Sequence, residues 1–269
     1  MHPMRLDLPP PLPREPLQRL ILALADDELV LGHRDSEWTG HSPILEEDIA
    51  FSNIAQDELG HSLVWFSLLE QLTGKTPDEM AFERPWNQFT CCRFVEYPRG
   101  DFGYTVARQY LFDEAEHVRL SAFAQSSMQQ LSEISSKLLR EEAYHLLHSK
   151  GLLERLGDAT EESHKHMQDG VDQAFPQALG MFESIDGESD LVGAGVFPGN
   201  EALRDQWLMR VIPVLTSATL TVPATRRNGG YTVGISPDDG GRRNAHTSHL
   251  EHLVDDLQQV YRTAPEAKW

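Results

Sequence analysis

The sequence predicts an all-α protein built around four long helices. Apolar residues recur at intervals of three and four over most of the chain, which is the spacing of a helix face. Proline and glycine cluster in a few short stretches, and no segment shows the sustained alternation of a half-buried strand. The chain has 269 residues, 40% of them hydrophobic and 24% charged, which suits one large globular domain.

The first two helices follow a proline-rich start. Six prolines within residues 1–16 predict an extended arm, ahead of a single helical domain over residues 17–269. A helical pattern begins at Leu17 and is interrupted near Gly32. A second helix is expected to open at Ser42 and Pro43, as N-cap and first helical residue, and to run to about residue 72.

A broken stretch divides these helices from the next pair. Residues 73–101 carry Pro77, Pro85, Pro98 and Gly100, and they are expected to form a crossover. The third and fourth helices are predicted at about residues 101–128 and 132–156. Two long hairpins joined by one long crossover form the ferritin-like topology, here a four-helix core bundle over residues 17–156.

The rest of the chain is predicted to add accessory helices to this bundle. Amphipathic segments lie at about residues 160–183, 199–219 and 246–263. A glycine-rich loop is expected over residues 226–244.

Charge and cysteine content narrow the expected environment. The net charge of −19 argues against nucleic acid and against an anionic membrane surface as partners. No apolar run approaches the roughly 18–20 residues that span a bilayer, and the start has no signal-peptide core. Cys91 and Cys92 are adjacent, which suits neither a disulfide framework nor a zinc motif. A cytoplasmic location is expected.

Glu-x-x-His pairs are the most informative motif. Chance placement of 23 Glu and 12 His over 269 positions gives about one such pair, and the sequence has four. Two of them lie within the second and fourth long helices, and the first and third helices offer one glutamate each. Ferritin-like di-iron and di-manganese proteins take their ligands in this pattern. The predicted metal ligands are Glu28, Glu58, His61, Glu114, Glu142 and His145.

These residues share the apolar faces of their helices. Glu28 lies on the stripe of Leu24 and Leu31, where a carboxylate without a partner or a metal would be costly. Two divalent cations roughly 3.5–4 Å apart need bridging carboxylates, and one imidazole each leaves positions open for oxygen. A set of unrelated residues is the alternative interpretation.

Some positions remain open or are assigned to the surface. Asp113 is an alternative to Glu114 as the ligand from the third helix. Glu114 and His117 are themselves a third Glu-x-x-His pair, and Glu161 and His164 form the fourth in a polar stretch, where a solvated face is expected. A surface position is also expected for three histidines of the last helix, His246, His249 and His252.

Four segments carry a resemblance to a known family. They are LVLGHRDSEWTGHSPILEEDIAFSNIAQDELGH (29–61), ARQYLFDE (107–114), YHLLHSKGLLERLGDAT (144–160) and HTSHL (246–250). The chain resembles the C subunits of phenylacetyl-CoA epoxidase, the multicomponent monooxygenase of aerobic phenylacetate degradation, over nearly its whole length except the arm.

The resemblance implies a ferritin-like fold and a place in an oligomeric complex. The expected partners are a homologous A subunit, which holds the catalytic di-iron centre and the CoA thioester, a B subunit, and a reductase that uses NADPH. C subunits of this family usually have a structural role, and well-known members have lost metal ligands, whereas this sequence has all six.

Three functions follow from these observations. The first is a stabilising epoxidase subunit that can bind iron at its own di-metal site. The second is an independent di-iron oxygenase or oxidase. The third, an iron-storage protein, leaves the C-terminal half unexplained.

Overall fold

The computed structural model describes residues 12–265 and 267, and most of them are helical. Of the expected proline-rich arm, residues 1–11 lie outside the described part. In chain order the helices are α1 (Arg14–Ser36), α2 (Leu45–Thr73), α3 (Pro77–Phe82), α4 (Arg93–Glu96), α5 (Phe102–Phe123), α6 (Gln129–Gly157), α7 (Glu161–Leu179), α8 (Glu188–Gly193), α9 (Asn200–Ser217) and α10 (Ser248–Thr263).

The connectivity confirms the predicted fold class. Two long hairpins, α1–α2 and α5–α6, are joined by a segment that holds only the short helices α3 and α4 and a 3₁₀ turn, which is the ferritin-like chain order. None of the described helices is long and apolar enough to cross a membrane.

The chain forms two compact units. The first combines the residues up to Pro98 with those from Gly240 onward, and the second is Arg99–Asp239. In the first unit α1 packs along α2, and α10 packs on α3 and α4. In the second unit α5 packs against α6, α7 and α9. The expectation of a single domain over residues 17–269 stays a prediction.

The helix starts differ from the predicted ones for local reasons. Helix α1 begins at Arg14, because Pro13 is extended and Pro16 is acceptable in a first turn. The expected N-cap at Ser42 is wrong. Helix α2 begins at Leu45 after an extended Ile44, and the Ser42 hydroxyl instead donates to the Trp38 carbonyl at 3.3 Å.

The second unit contains elements that the sequence pattern did not predict. Overlapping the start of the expected glycine-rich loop, β1 (Ala224–Arg227) pairs antiparallel with β2 (Gly230–Val233), with Ala224 opposite Val233. The two residues between the strands, Asn228 and Gly229, have φ of 51° and 84°, as a two-residue hairpin turn requires. Helix α8 was also not predicted, and α5 ends at Phe123 rather than near residue 128.

A glycine contact sets the distance between two helices of the second unit. A Cβ on Gly170 of α7 would lie 2.7 Å from the backbone of Gly103 in α5. Real Cβ atoms do not approach backbone so closely, so α5 and α7 can cross here only while both positions lack side chains.

Candidate metal centre

Three of the predicted ligands meet in the first unit. Glu28 lies on α1, and Glu58 and His61 lie one turn apart on α2. All three are buried, with no more than 2% of any of them exposed. Their ligand atoms lie within 4.8 Å of one another, and His61 Nδ1 is 3.9 Å from Glu58 Oε2. This is a donor set of two carboxylates and one imidazole.

A close approach of α1 and α2 produces this geometry. A Cβ on Gly32 would lie 3.1 Å from the Glu58 Cβ and from the Ala55 carbonyl oxygen. Gly32 is one turn beyond Glu28 and therefore on the same helix face. The glycine allows α2 to lie near enough for the Glu28 carboxylate to reach Glu58.

The donor set fits a divalent cation. Two carboxylates at this spacing in a dry interior repel each other unless a proton or a cation lies between them. Carboxylate oxygens with one imidazole are also ligands that iron and manganese accept.

The second unit holds the other Glu-x-x-His pair predicted to bind metal. Glu142 and His145 lie on the buried face of α6, with 1% and 0% exposed. His145 Nδ1 lies 3.3 Å from Glu142 Oε1. The spacing of three residues places both side chains on one face, as at Glu58 and His61.

Glu114, the sixth predicted ligand, has a cationic partner. Its Oε2 accepts a hydrogen bond from Arg210 Nε of α9 at 2.6 Å. Only 4% of the Glu114 side chain is exposed, against 42% of Arg210. Glu114 belongs to none of the metal-capable groups found among the residues that the structure describes.

Asp113, the alternative, is also engaged. It is fully buried and accepts hydrogen bonds from Gln109 Nε2 and from the Ser149 hydroxyl. The choice between Asp113 and Glu114 stays open. Arg210 was missed from the sequence because no local pattern links it to a residue 96 positions earlier.

A third group of donors was not expected at all. Cys91, Glu96 and His246 have ligand atoms within 4.8 Å of one another. The expectation of a surface position for His246 is wrong, since its side chain is fully buried. His249 is half-buried, while His252 and Glu161 are exposed as expected.

Hydrogen bonding makes this third group structural. His246 Nδ1 lies 2.7 Å from Glu96 Oε1, and its Nε2 lies 2.7 Å from the Phe89 carbonyl oxygen. The other Glu96 oxygen accepts from the Thr247 amide and hydroxyl. Burial, with help from the Glu96 charge, raises the pKa of the Cys91 thiol well above its usual value. A protonated thiol and a ring bonded at both nitrogens do not favour metal binding.

The nearby acids of α1 are engaged by arginines. Asp27 forms a buried ion pair with Arg242 at 2.5 Å, and Asp26 bonds to Arg84. Guanidinium groups therefore balance the charges of Asp26 and Asp27, and neither acid is a candidate metal ligand.

Sequence comparisons identify the family. Residues 6–269 match the family model described as phenylacetic acid catabolic protein. The chain is 36% identical over 250 residues to the C subunit of the 1,2-phenylacetyl-CoA epoxidase of Escherichia coli (strain K12). That match covers 92% of this chain and 97% of the relative. The resemblance predicted from the sequence motifs is thereby confirmed, and the chain belongs to the phenylacetic acid catabolic protein family.

Proposed function

We propose that this protein is the C-type subunit of a phenylacetyl-CoA epoxidase. The observation that carries this proposal is the full-length similarity to the E. coli protein, which leaves neither chain with a large unmatched region. In this role the protein binds and stabilises a homologous catalytic A subunit. A B subunit and an NADPH-linked reductase complete the assembly.

Coexpression with the A subunit tests this role. The chain alone should not turn over phenylacetyl-CoA, and its presence should raise both the melting temperature and the activity of the A subunit. An A subunit whose stability and activity are unchanged by the chain would contradict the proposal.

We further propose that the chain retains a di-metal site. Its proposed ligands are Glu28, Glu58, His61, Glu114, Glu142 and His145. The buried donors of α1, α2 and α6 support this proposal. Glu114 would exchange its ion pair with Arg210 for the metal. These residues would hold the metals, and a bound di-iron centre would supply oxygen activation.

The same buried donors favour one alternative function. A chain with a complete ligand set can be an independent di-iron oxygenase or oxidase. Turnover of an aromatic acyl-CoA by the iron-loaded chain without an A subunit would establish this alternative. Iron binding without such turnover leaves the epoxidase subunit as the function.

A further inference from the structure

Helix α2 carries an apolar face directed to solvent. Leu45, Ile49, Leu59 and Leu63 are 71%, 54%, 39% and 55% exposed. Isolated apolar residues are common on the surface of soluble proteins. A row of four along one face of a helix instead indicates an interaction site.

The spacing of the row indicates what binds there. Counted along α2, residues 45, 49, 52, 56, 59 and 63 are separated alternately by four and three positions. This is the spacing of the seam by which two helices pack in a coiled coil. We call these six residues the α2 seam, which Ser52 and Gln56 complete.

The seam lies opposite the metal-binding face. Glu58 and His61 are buried, whereas Leu59 and Leu63 are exposed on the other side of the same turns. Helix α2 therefore has two apolar faces, one of which packs inside the first unit.

Charge decides between a second copy and a different protein. Exposed Glu46 and Asp57 flank the seam on one side, and the half-buried Asp48 lies on the other. The stretch from Leu45 to Thr73 contains neither Lys nor Arg. Two copies would bring acidic flanks together, and each chain carries a net charge of −19.

We propose that the α2 seam binds a helix of the A-type subunit that has an apolar seam flanked by Lys and Arg. The inference rests on the proposed function for the identity of the partner. Apolar contacts along the seam supply affinity, and the flanking acids select a basic partner over a second copy.

A pair of charge-matched double variants tests the proposal by coexpression and affinity measurement. Leu45→Glu with Leu63→Glu should weaken binding of the purified A-type subunit about tenfold or more. Met209→Glu with Val260→Glu adds the same charge at apolar residues that are 41% and 60% exposed on other helices. This control should leave the affinity within about twofold. Equal effects of the two pairs would overturn the proposal.

Exposed Gln56 provides a second test that does not depend on the leucines. Gln56→Lys should weaken the complex more than Gln56→Glu, because the partner flank is basic. The reverse order would overturn the charge assignment, and so would self-association of the wild-type chain that the leucine variants abolish.

The outcomes separate this inference from the proposed function. If the A-type subunit binds with equal affinity to wild type and all variants, the seam assignment fails and the function stands. If it does not bind the wild-type chain, both fail.

Discussion

Glu58 is the residue at which a metal ligand and a structural acid can be told apart. If Glu58 is a ligand, the metal-free protein holds carboxylates close together, and Glu58→Ala relieves their repulsion. We expect the chelator-treated variant to be no less stable than wild type and to gain no stability from Fe(II). If Glu58 is instead a structural acid, Glu58→Ala removes the partner of the buried His61 and lowers the unfolding free energy by about 1–3 kcal/mol.

Glu96→Ala is the matched control for this measurement. Glu96 is buried and bonds to His246 and Thr247, so its removal should lower the melting temperature with or without iron. Thermal melts of the three proteins, each with chelator and with Fe(II), make the comparison. A large drop for chelated Glu58→Ala, with no gain from iron in wild type, would contradict the metal assignment.

His33 gives the protein a defined response to acid. Burial lowers the pKa of His33, and Asp256, with its Oδ2 3.4 Å from Nε2, opposes that shift only in part. The unfolded chain therefore takes up a proton near pH 6.5 that the folded chain still excludes. The contribution of His33 to stability is complete above that pH and is lost as the pH falls toward the folded pKa.

The comparison of wild type with His33→Gln isolates this effect. Between pH 7.5 and pH 5, urea unfolding should show a larger loss of unfolding free energy for wild type than for the variant. Equal losses would show that His33 does not titrate differently in the folded state.

At the scale of elements, the crossing of α5 and α7 depends on glycine. Gly170→Ala improves helix propensity by about 1 kcal/mol but pushes a methyl group into the Gly103 backbone. Backbone cannot move aside as a side chain can, so we expect a net loss of about 1–3 kcal/mol of unfolding free energy.

Gly151 of α6 provides the matched control. Among the residues that the structure describes, no atom outside the local helix backbone lies within 4 Å of a Cβ built at Gly151. Gly151→Ala should therefore stabilise the protein by up to about 1 kcal/mol. In urea unfolding, a loss of unfolding free energy for Gly170→Ala and a gain for Gly151→Ala would support a crossing that requires glycine. Stabilisation by Gly170→Ala would contradict it.

Local signals explain which elements could be predicted. The long helices were found because their apolar periodicity extends over 20 residues or more. In the structure, Asp101 and Thr160 cap helices α5 and α7. The hairpin was missed although its signal, Asn228 followed by Gly229, is local and well known. Helix α8 has only six residues, too few for a periodic pattern.

Contacts distant in sequence explain what was missed at the site. His246 is buried because it bonds to Glu96, 150 residues earlier, and a histidine within HTSHLEH carries no sign of that partner. Helix periodicity likewise does not predict the ion pair of Glu114 with Arg210. Helix spacing alone puts five of the predicted ligands on apolar faces, so the sequence was enough to propose them. They are Glu28, Glu58, His61, Glu142 and His145.

At the scale of the whole molecule, net charge and the α2 seam favour a heteromeric partner. The net charge of −19 makes two copies of the chain repel each other. The four exposed apolar residues on one helix indicate a surface that a partner covers. Both properties suit a protein whose place is in a complex with a different, more basic chain.

Iron stoichiometry tests the retained di-metal site most directly. Purified metal-free protein is given Fe(II) under anaerobic conditions, desalted and analysed for iron, beside Glu58→Ala and Glu96→Gln. We predict about two irons per chain for wild type and for Glu96→Gln, and a loss of iron for Glu58→Ala. No iron in wild type, or equal iron in wild type and Glu58→Ala, would contradict the claim that these residues form a metal site.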